Sequence, residues 1–247
     1  MCKKRTWKCL TAAHLKLIAM ACMLLDHLWG TVVPGNQWMN CVGRLAFPIF
    51  AFQVAEGYCR TGNFKRYLKR MFLFALAAEI PYNLMLGGAL FHPLGQNVML
   101  TFCLSLLLLR AVDAAWKKNP FLGAGAAVLG GVIGYFVGMF TFVDYYGYGI
   151  LMVLAFWLFR EKRWWNPILL LAVMAYINVG MIRGLSFVVE GFGWEWFVPV
   201  QSFAVLALIP IFLYNGEQGW KSRRFQYACY AFYPVHMLIL VLVAILL

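Results

Sequence analysis

What this chain has least of is charge. Asp, Glu, Lys and Arg make up 12% of its 247 residues, about half the share in an ordinary soluble domain. That shortage excludes a soluble globular fold, and no soluble segment of useful size fits between the apolar runs. Further absences narrow the field. The seven cysteines (Cys2, Cys9, Cys22, Cys41, Cys59, Cys103 and Cys229) show no metal-ligand spacing, and Cys22, Cys103 and Cys229 fall inside apolar runs. Small apolar side chains explain them better than a disulfide framework or a metal site. No serine or cysteine nucleophile has an evident neighbouring base, and there is no glycine-rich phosphate loop. An acyl enzyme through the usual nucleophiles is therefore not indicated. No small-x-small cleavage site follows the first apolar run, so that run is expected to be retained. No internal repeat is evident, which weakens an inverted-repeat transporter.

What is there is apolar: 64% hydrophobic residues and a mean hydropathy of +0.75. Runs of about 20 apolar residues, the length that crosses a ~30 Å hydrocarbon core, recur along the chain. They predict an all-α, polytopic integral membrane helical bundle, a single domain over 1–247. About nine transmembrane helices fit, at 15–33, 42–59, 71–90, 97–115, 120–141, 147–159, 167–182, 199–214 and 226–247. The net charge of +12 follows the same plan. With the N-terminus cytoplasmic, every lysine and arginine except Arg44 and Arg183 falls on the inner side, as the positive-inside rule requires. The basic excess thus needs the lipid bilayer and no nucleic-acid partner. Among the outer loops, 183–198 carries Glu190, Glu195, Trp194 and Trp196. Its tryptophans read as interfacial anchors, and a short half-helix on the outer surface would suit it. Gly123, Gly130, Gly134 and Gly138 have the spacing of close helix packing. Pro48 inside the second run predicts a kink.

The residues that need explaining are the ionisable ones inside these runs, since a charged Asp at a helix centre costs about 2.5 kcal/mol or more. They are Asp26 and His27 in "MLLDHLWG", Glu56, Glu79 and His236. At 1.5 Å of rise per residue, His27 lies roughly 18 Å from the inner face, His236 about 15 Å and Glu79 about 12 Å. Neighbours on a helix point about 100° apart, so Asp26 and His27 must each find a partner on another helix. Bland roles exist: a membrane histidine often acts as a hydrogen-bonded strut, Glu56 can pair with Arg60, and Arg44 can snorkel to the interface. A histidine assisted by a carboxylate can also serve as a general base for acyl transfer or carry protons in coupled transport. The residues alone leave those two open, along with a purely structural role in an assembly protein.

Five blocks decide between them by resemblance. "LKLIAMACMLLDHLWG" (15–30), "GRLAFPIFAFQVAEGYCRTGNFKRYLKRMFLFALAAEIPYNL" (43–84), "QNVMLTFCLSLLLL" (96–109), "DYYGYGILMVLAFWLFR" (144–160) and "YAFYPVHMLIL" (230–240) closely resemble, in order, the TraX family. That resemblance implies an inner-membrane acetyltransferase of pilus assembly, multi-pass in a bacterial-type cell membrane, with acetyl-CoA as donor and no metal. The expected acceptor is pilin, another exported peptide N-terminus or a surface glycan. It is more distantly similar to multi-span acyltransferases that modify sugars. Asp26, His27 and His236, with Glu79, become the candidate catalytic residues. Arg44, Glu56, Asn83, Gln96, Asn97 and Asp144 match further polar positions of the family pattern. Arg60, Lys65, Arg66 and Lys69, or Lys221, Arg223 and Arg224, are expected to meet the CoA phosphates. Asn83 or Asn97 is expected to steady the oxyanion.

Overall fold

A computed structural model describes residues 8–161, 163–182, 184–191 and 194–247. Lys3, Lys4, Arg5, Lys162 and Arg183 of the charge pattern lie outside the described residues, as does Cys2. The helices run α1 Ala12–Thr31, α2 Gln37–Gly43, α3 Ala46–Arg60, α4 Phe64–Gly87, α5 Val98–Lys118, α6 Pro120–Phe140, α7 Tyr146–Leu158 and α8 Asn166–Ala175. A π-helical turn, Tyr176–Met181, continues α8. Strands β1 Ser186–Gly191 and β2 Trp194–Pro199 follow, then a 3-10 segment Val200–Ala207, α9 Leu208–Phe212 and α10 Arg223–Leu246. Each expected apolar segment overlaps helical backbone among the described residues. By length and composition α1, α5, α6 and α10 can cross a membrane. Helix α4 is as long, but its first turns carry Lys65, Arg66, Lys69 and Arg70. The outward side chains of the long helices are apolar, with Phe121, Leu129, Ile133 and Phe136 of α6 and Phe72, Leu76 and Ile80 of α4 all exposed. An apolar exterior of this kind suits lipid as its solvent.

The helix ends are set by short polar side chains. Thr11 accepts from the N–H of His14 at 3.3 Å while the His14 ring accepts from the N–H of Thr11, a reciprocal cap on α1. Asn63 caps α4 by accepting from Arg66 N at 2.9 Å. Asn119 caps α6 through Phe121 N at 2.7 Å, with Pro120 in the first turn, where its missing N–H has no helical acceptor to leave.

Three expectations need correction. Among its described residues the 183–198 segment holds no half-helix. Its described residues form an antiparallel hairpin in the register Ser186↔Pro199 to Gly191↔Trp194, because valine, phenylalanine and tryptophan there favour extended backbone. The fold is thus nearly, rather than wholly, α. Pro48 kinks nothing: the second apolar run is split between α2 and α3, and Pro48 sits in the first turn of α3, where its N–H is not needed. The prolines inside helices are Pro81 of α4 and Pro234 of α10. The 199–214 segment is not one α-helix but a 3-10 segment followed by α9, in keeping with Pro210, which removes one donor from an α ladder.

The chain folds into two compact units. The first comprises Met1–Phe50, Leu171–Phe232 and Val243–Leu247; the second comprises Ala51–Leu170 and Tyr233–Leu242. In the first, α1 packs on α2, and the chain at Leu10 bonds alongside Tyr214. In the second, α5 packs against α4, α6 and α7. The glycine spacing of α6 is used here: a Cβ at Gly138 would lie 2.6 Å from the Gly147 backbone, and one at Gly130 would meet Leu108 at 2.6 Å. Helices α6 and α7 therefore cross with their backbones in contact, as small residues permit in lipid.

Candidate functional site

Each unit contains a polar constellation built from the sequence blocks. In the first unit, Asp26 of α1 is held by the guanidinium of Arg44 at the end of α2, an ion pair only 22% exposed on either side. Asp26 thus finds its partner on another element, as helix geometry demanded, and Arg44 turns inward instead of snorkelling. Gly43 makes room for the pair, since a Cβ there would run into the Asp26 side chain. His27, on the following position, is half-buried, and its carbonyl accepts from Thr31 Oγ1 at 2.6 Å. The Trp29 indole nitrogen is buried without a hydrogen-bond partner among the described residues. Deeper polarity that the sequence reading did not single out is also present here. Gln201 donates to Asn178 Oδ1 at 2.8 Å, and Asn178 donates to Met174 O at 2.8 Å, all buried.

The second unit gathers more of the candidates. Asn97 is fully buried at the N-terminus of α5, where its Oδ1 accepts from Met99 N at 3.0 Å and caps the helix. Its amide nitrogen donates to Ala75 O at 2.9 Å and to Glu79 Oε2. Both amide hydrogens are therefore committed, and Asn97 works here as the positioner of Glu79. The other carboxylate oxygen, Glu79 Oε1, is buried and has no hydrogen-bond partner among the described residues. One helical turn on, Asn83 donates to Leu90 O at 3.3 Å, while its Oδ1 is likewise buried and unpartnered. Such acceptors cost about 1–3 kcal/mol each when nothing donates to them.

The same unit buries Tyr82, Tyr233 and His236. The Tyr233 and His236 rings, one turn apart on α10, have centroids 6.1 Å apart. Glu79 and Asp144 both act electrostatically on Tyr82 and Tyr233, and the N–H of Val98 is directed at the Tyr233 hydroxyl. The two tyrosines are residues that sequence reasoning passed over. Their signal was positional, Tyr82 three residues after Glu79 and Tyr233 three before His236, the spacing of one helix face.

Asp144 belongs to a strained turn. Phe142, Tyr145 and Tyr146 all have positive φ (52°, 59° and 46°), which costs bulky residues about 1–3 kcal/mol each. The turn is clamped onto Gln96: Gln96 N donates to Phe142 O at 2.9 Å, Asp144 N donates to Gln96 O at 2.8 Å, and Thr101 Oγ1 donates to Asp144 O at 2.7 Å. Gln96 and Asp144 thereby fix the chain beside the α5 N-terminus.

The remaining predicted residues lie at the basic rim. Arg60 pairs with Glu56 at 2.6 Å, one turn apart on α3, in the bland role open to Glu56. Lys65, Arg66 and Lys69 are exposed on the first turns of α4, as are Lys221, Arg223 and Arg224 before and on α10.

A family model described as TraX protein matches residues 11–244 of the chain. A probable fimbrial assembly protein, FimC of serogroup H1, from Dichelobacter nodosus is 27% identical over 258 residues, covering 93% of this chain and 94% of its own. No solved structure matches.

Proposed function

The chain belongs to the TraX family, and we propose from this that it is a membrane acetyltransferase of pilus assembly. It would take the acetyl group of cytosolic acetyl-CoA and pass it to an amine or hydroxyl of an exported acceptor, such as a pilin N-terminus. The family and its fimbrial assembly relative support the setting. The observation that best supports the chemistry is the buried, unpartnered Glu79 Oε1 in the unit that also holds His236, Tyr82 and Tyr233.

An N-terminal ammonium supplies what that site lacks. Its N–H groups would donate to Glu79 Oε1 and Asn83 Oδ1, and its charge would offset the carboxylate. Glu79 takes one proton, which leaves a neutral amine to attack the acetyl carbonyl. His236 takes the second proton as the carbon–nitrogen bond forms. The tetrahedral intermediate collapses with loss of the carbon–sulfur bond, and the imidazolium returns its proton to the departing thiolate. The products are the acetylated acceptor and free CoA, and Glu79 releases its proton. The Tyr233 hydroxyl, on which the Val98 N–H acts, would offer its hydrogen to the carbonyl oxygen. His27 is the second candidate base. Its neighbour Asp26 is already engaged by Arg44, which favours His236.

The test is transfer itself. Protein purified in detergent, acetyl-CoA and a peptide with a free α-amine should yield acetyl-peptide by mass spectrometry, with release of the CoA thiol. His236→Asn and Glu79→Gln should each lower the rate by about 100-fold or more with little change in thermal midpoint. Acetyl-CoA at 100 times its Kd should add about 2.7 kcal/mol of stability. A folded protein that acetyl-CoA does not stabilise, and whose reconstituted form moves protons through the same residues, would replace this reading with proton-coupled transport.

A further inference from the structure

At the other end of α5 from Asn97 the second unit opens a cavity of about 360 Å³, lined by Tyr58, Cys59, Thr61, Phe64, Arg110, Asp113, Lys117, Trp157 and Arg160. Sixteen residues of helix separate Asn97 from Asp113, about 24 Å, so this is a second site and not part of the Glu79 cluster. Its charges are unequal. Asp113 is the one carboxylate in the lining, and its Oδ2 accepts from Lys117 Nζ at 2.7 Å and from the Tyr58 hydroxyl at 2.9 Å. Arg110 and Arg160 remain, and among the described residues neither has a carboxylate within ion-pair distance. Arg160 acts electrostatically on Asp113, but one carboxylate faces three cations, Arg110, Lys117 and Arg160, so the lining keeps a positive excess. The Arg110 guanidinium carbon lies over the Phe64 ring, 5.6 Å from its centroid. The Arg160 guanidinium lies 4.2 Å over Trp157 and donates to the Trp157 carbonyl at 2.6 Å. Guanidiniums placed over aromatic rings keep N–H groups available and lose little freedom on binding, the arrangement that favours phosphate. Tyr58 and Phe64 meet edge to face at 5.9 Å, adding an apolar wall beside the cations.

We infer that this cavity binds the phosphorylated nucleotide end of the acyl donor, with Arg110 and Arg160 on the phosphates. The inference rests on the acetyl-CoA reading above for the identity of its ligand. It moves the phosphate site away from the exposed Lys65, Arg66 and Lys69, which do not line this cavity.

Cys59 gives a direct readout, because its exposed thiol lines the cavity. Alkylation of the detergent-solubilised protein by N-ethylmaleimide would be followed at Cys59 by peptide mass spectrometry, with exposed Cys9 as internal control. Saturating CoA should slow alkylation of Cys59 several-fold and leave Cys9 unchanged. ADP should protect as well, and inorganic phosphate far less. The double variant Arg110→Gln, Arg160→Gln should lose protection while keeping its ligand-free thermal midpoint. Stabilisation by acetyl-CoA without protection of Cys59 would overturn the cavity assignment and leave the donor reading intact. Protection by ADP in a protein that neither binds acetyl-CoA nor transfers acetyl would uphold a nucleotide site and remove the donor reading. Protection that survives in the double variant would overturn the role of the two arginines.

Discussion

Asn97 joins the N-terminus of α5 to Glu79 of α4: one side chain caps the helix through Met99 N and donates to the carboxylate. Glu79 is thereby oriented at one oxygen while its other oxygen stays buried and open. A cap and a catalytic-type carboxylate depend on the same amide.

Replacing Asn97 by Ala should therefore do two things. It removes a cap, typically about 1 kcal/mol, and strands Glu79 Oε2, with a further cost of about 1–3 kcal/mol. A lowered thermal midpoint in detergent is the expected outcome. The double variant Asn97→Ala, Glu79→Leu should recover part of the loss, because the stranded carboxylate is then gone. An unchanged midpoint in the single variant would contradict this arrangement.

Gly43→Ala should destabilise the first unit, since its Cβ falls on the Asp26 side chain. Overpacking of this kind costs about 1–3 kcal/mol. Gly30→Ala, with nothing near its Cβ, is the matched control and should be close to neutral. Equal midpoints for the two variants would show that α2 does not need that approach.

On α6 the same comparison runs between Gly138 and Gly125. Gly138→Ala forces the α6 and α7 backbones apart, whereas a methyl at Gly125 meets nothing within 4 Å. The first should lower the thermal midpoint. The second should raise stability by about 0.4–1 kcal/mol by stiffening the unfolded chain.

The orientation predicted from charge is open to labelling. Lys118→Cys and Thr141→Cys place thiols at the two ends of α6, both at exposed positions. With the N-terminus cytoplasmic, a membrane-impermeant maleimide should reach position 141 from the outside of intact cells. It should reach position 118 only in inverted vesicles. The opposite pattern would reverse the topology.

Much of this molecule was legible in its residues. Scarce charge and repeated apolar runs were enough to specify a membrane helical protein, because hydrocarbon accepts only backbone that satisfies its own hydrogen bonds. The Glu56–Arg60 pair followed from i, i+4 spacing, and the need of Asp26 for a partner off its own helix followed from the angle between neighbours. The 186–199 hairpin was misread because apolar aromatic residues suit a lipid interface in either strand or helix. Pro48 was misread because hydropathy runs straight through the break between α2 and α3.

What only the tertiary structure decided is which distant residues meet. That Arg44 answers Asp26, that Asn97 spends its amide on Glu79, and that Tyr58, Arg110, Asp113 and Arg160 enclose one cavity depend on the way helices pack. Packing is set by close approaches such as Gly43 on Asp26 and Gly138 on Gly147. Local sequence determines how a segment satisfies its own backbone; side-chain partners are chosen by contacts between segments far apart in the chain, and those are absent from any local pattern.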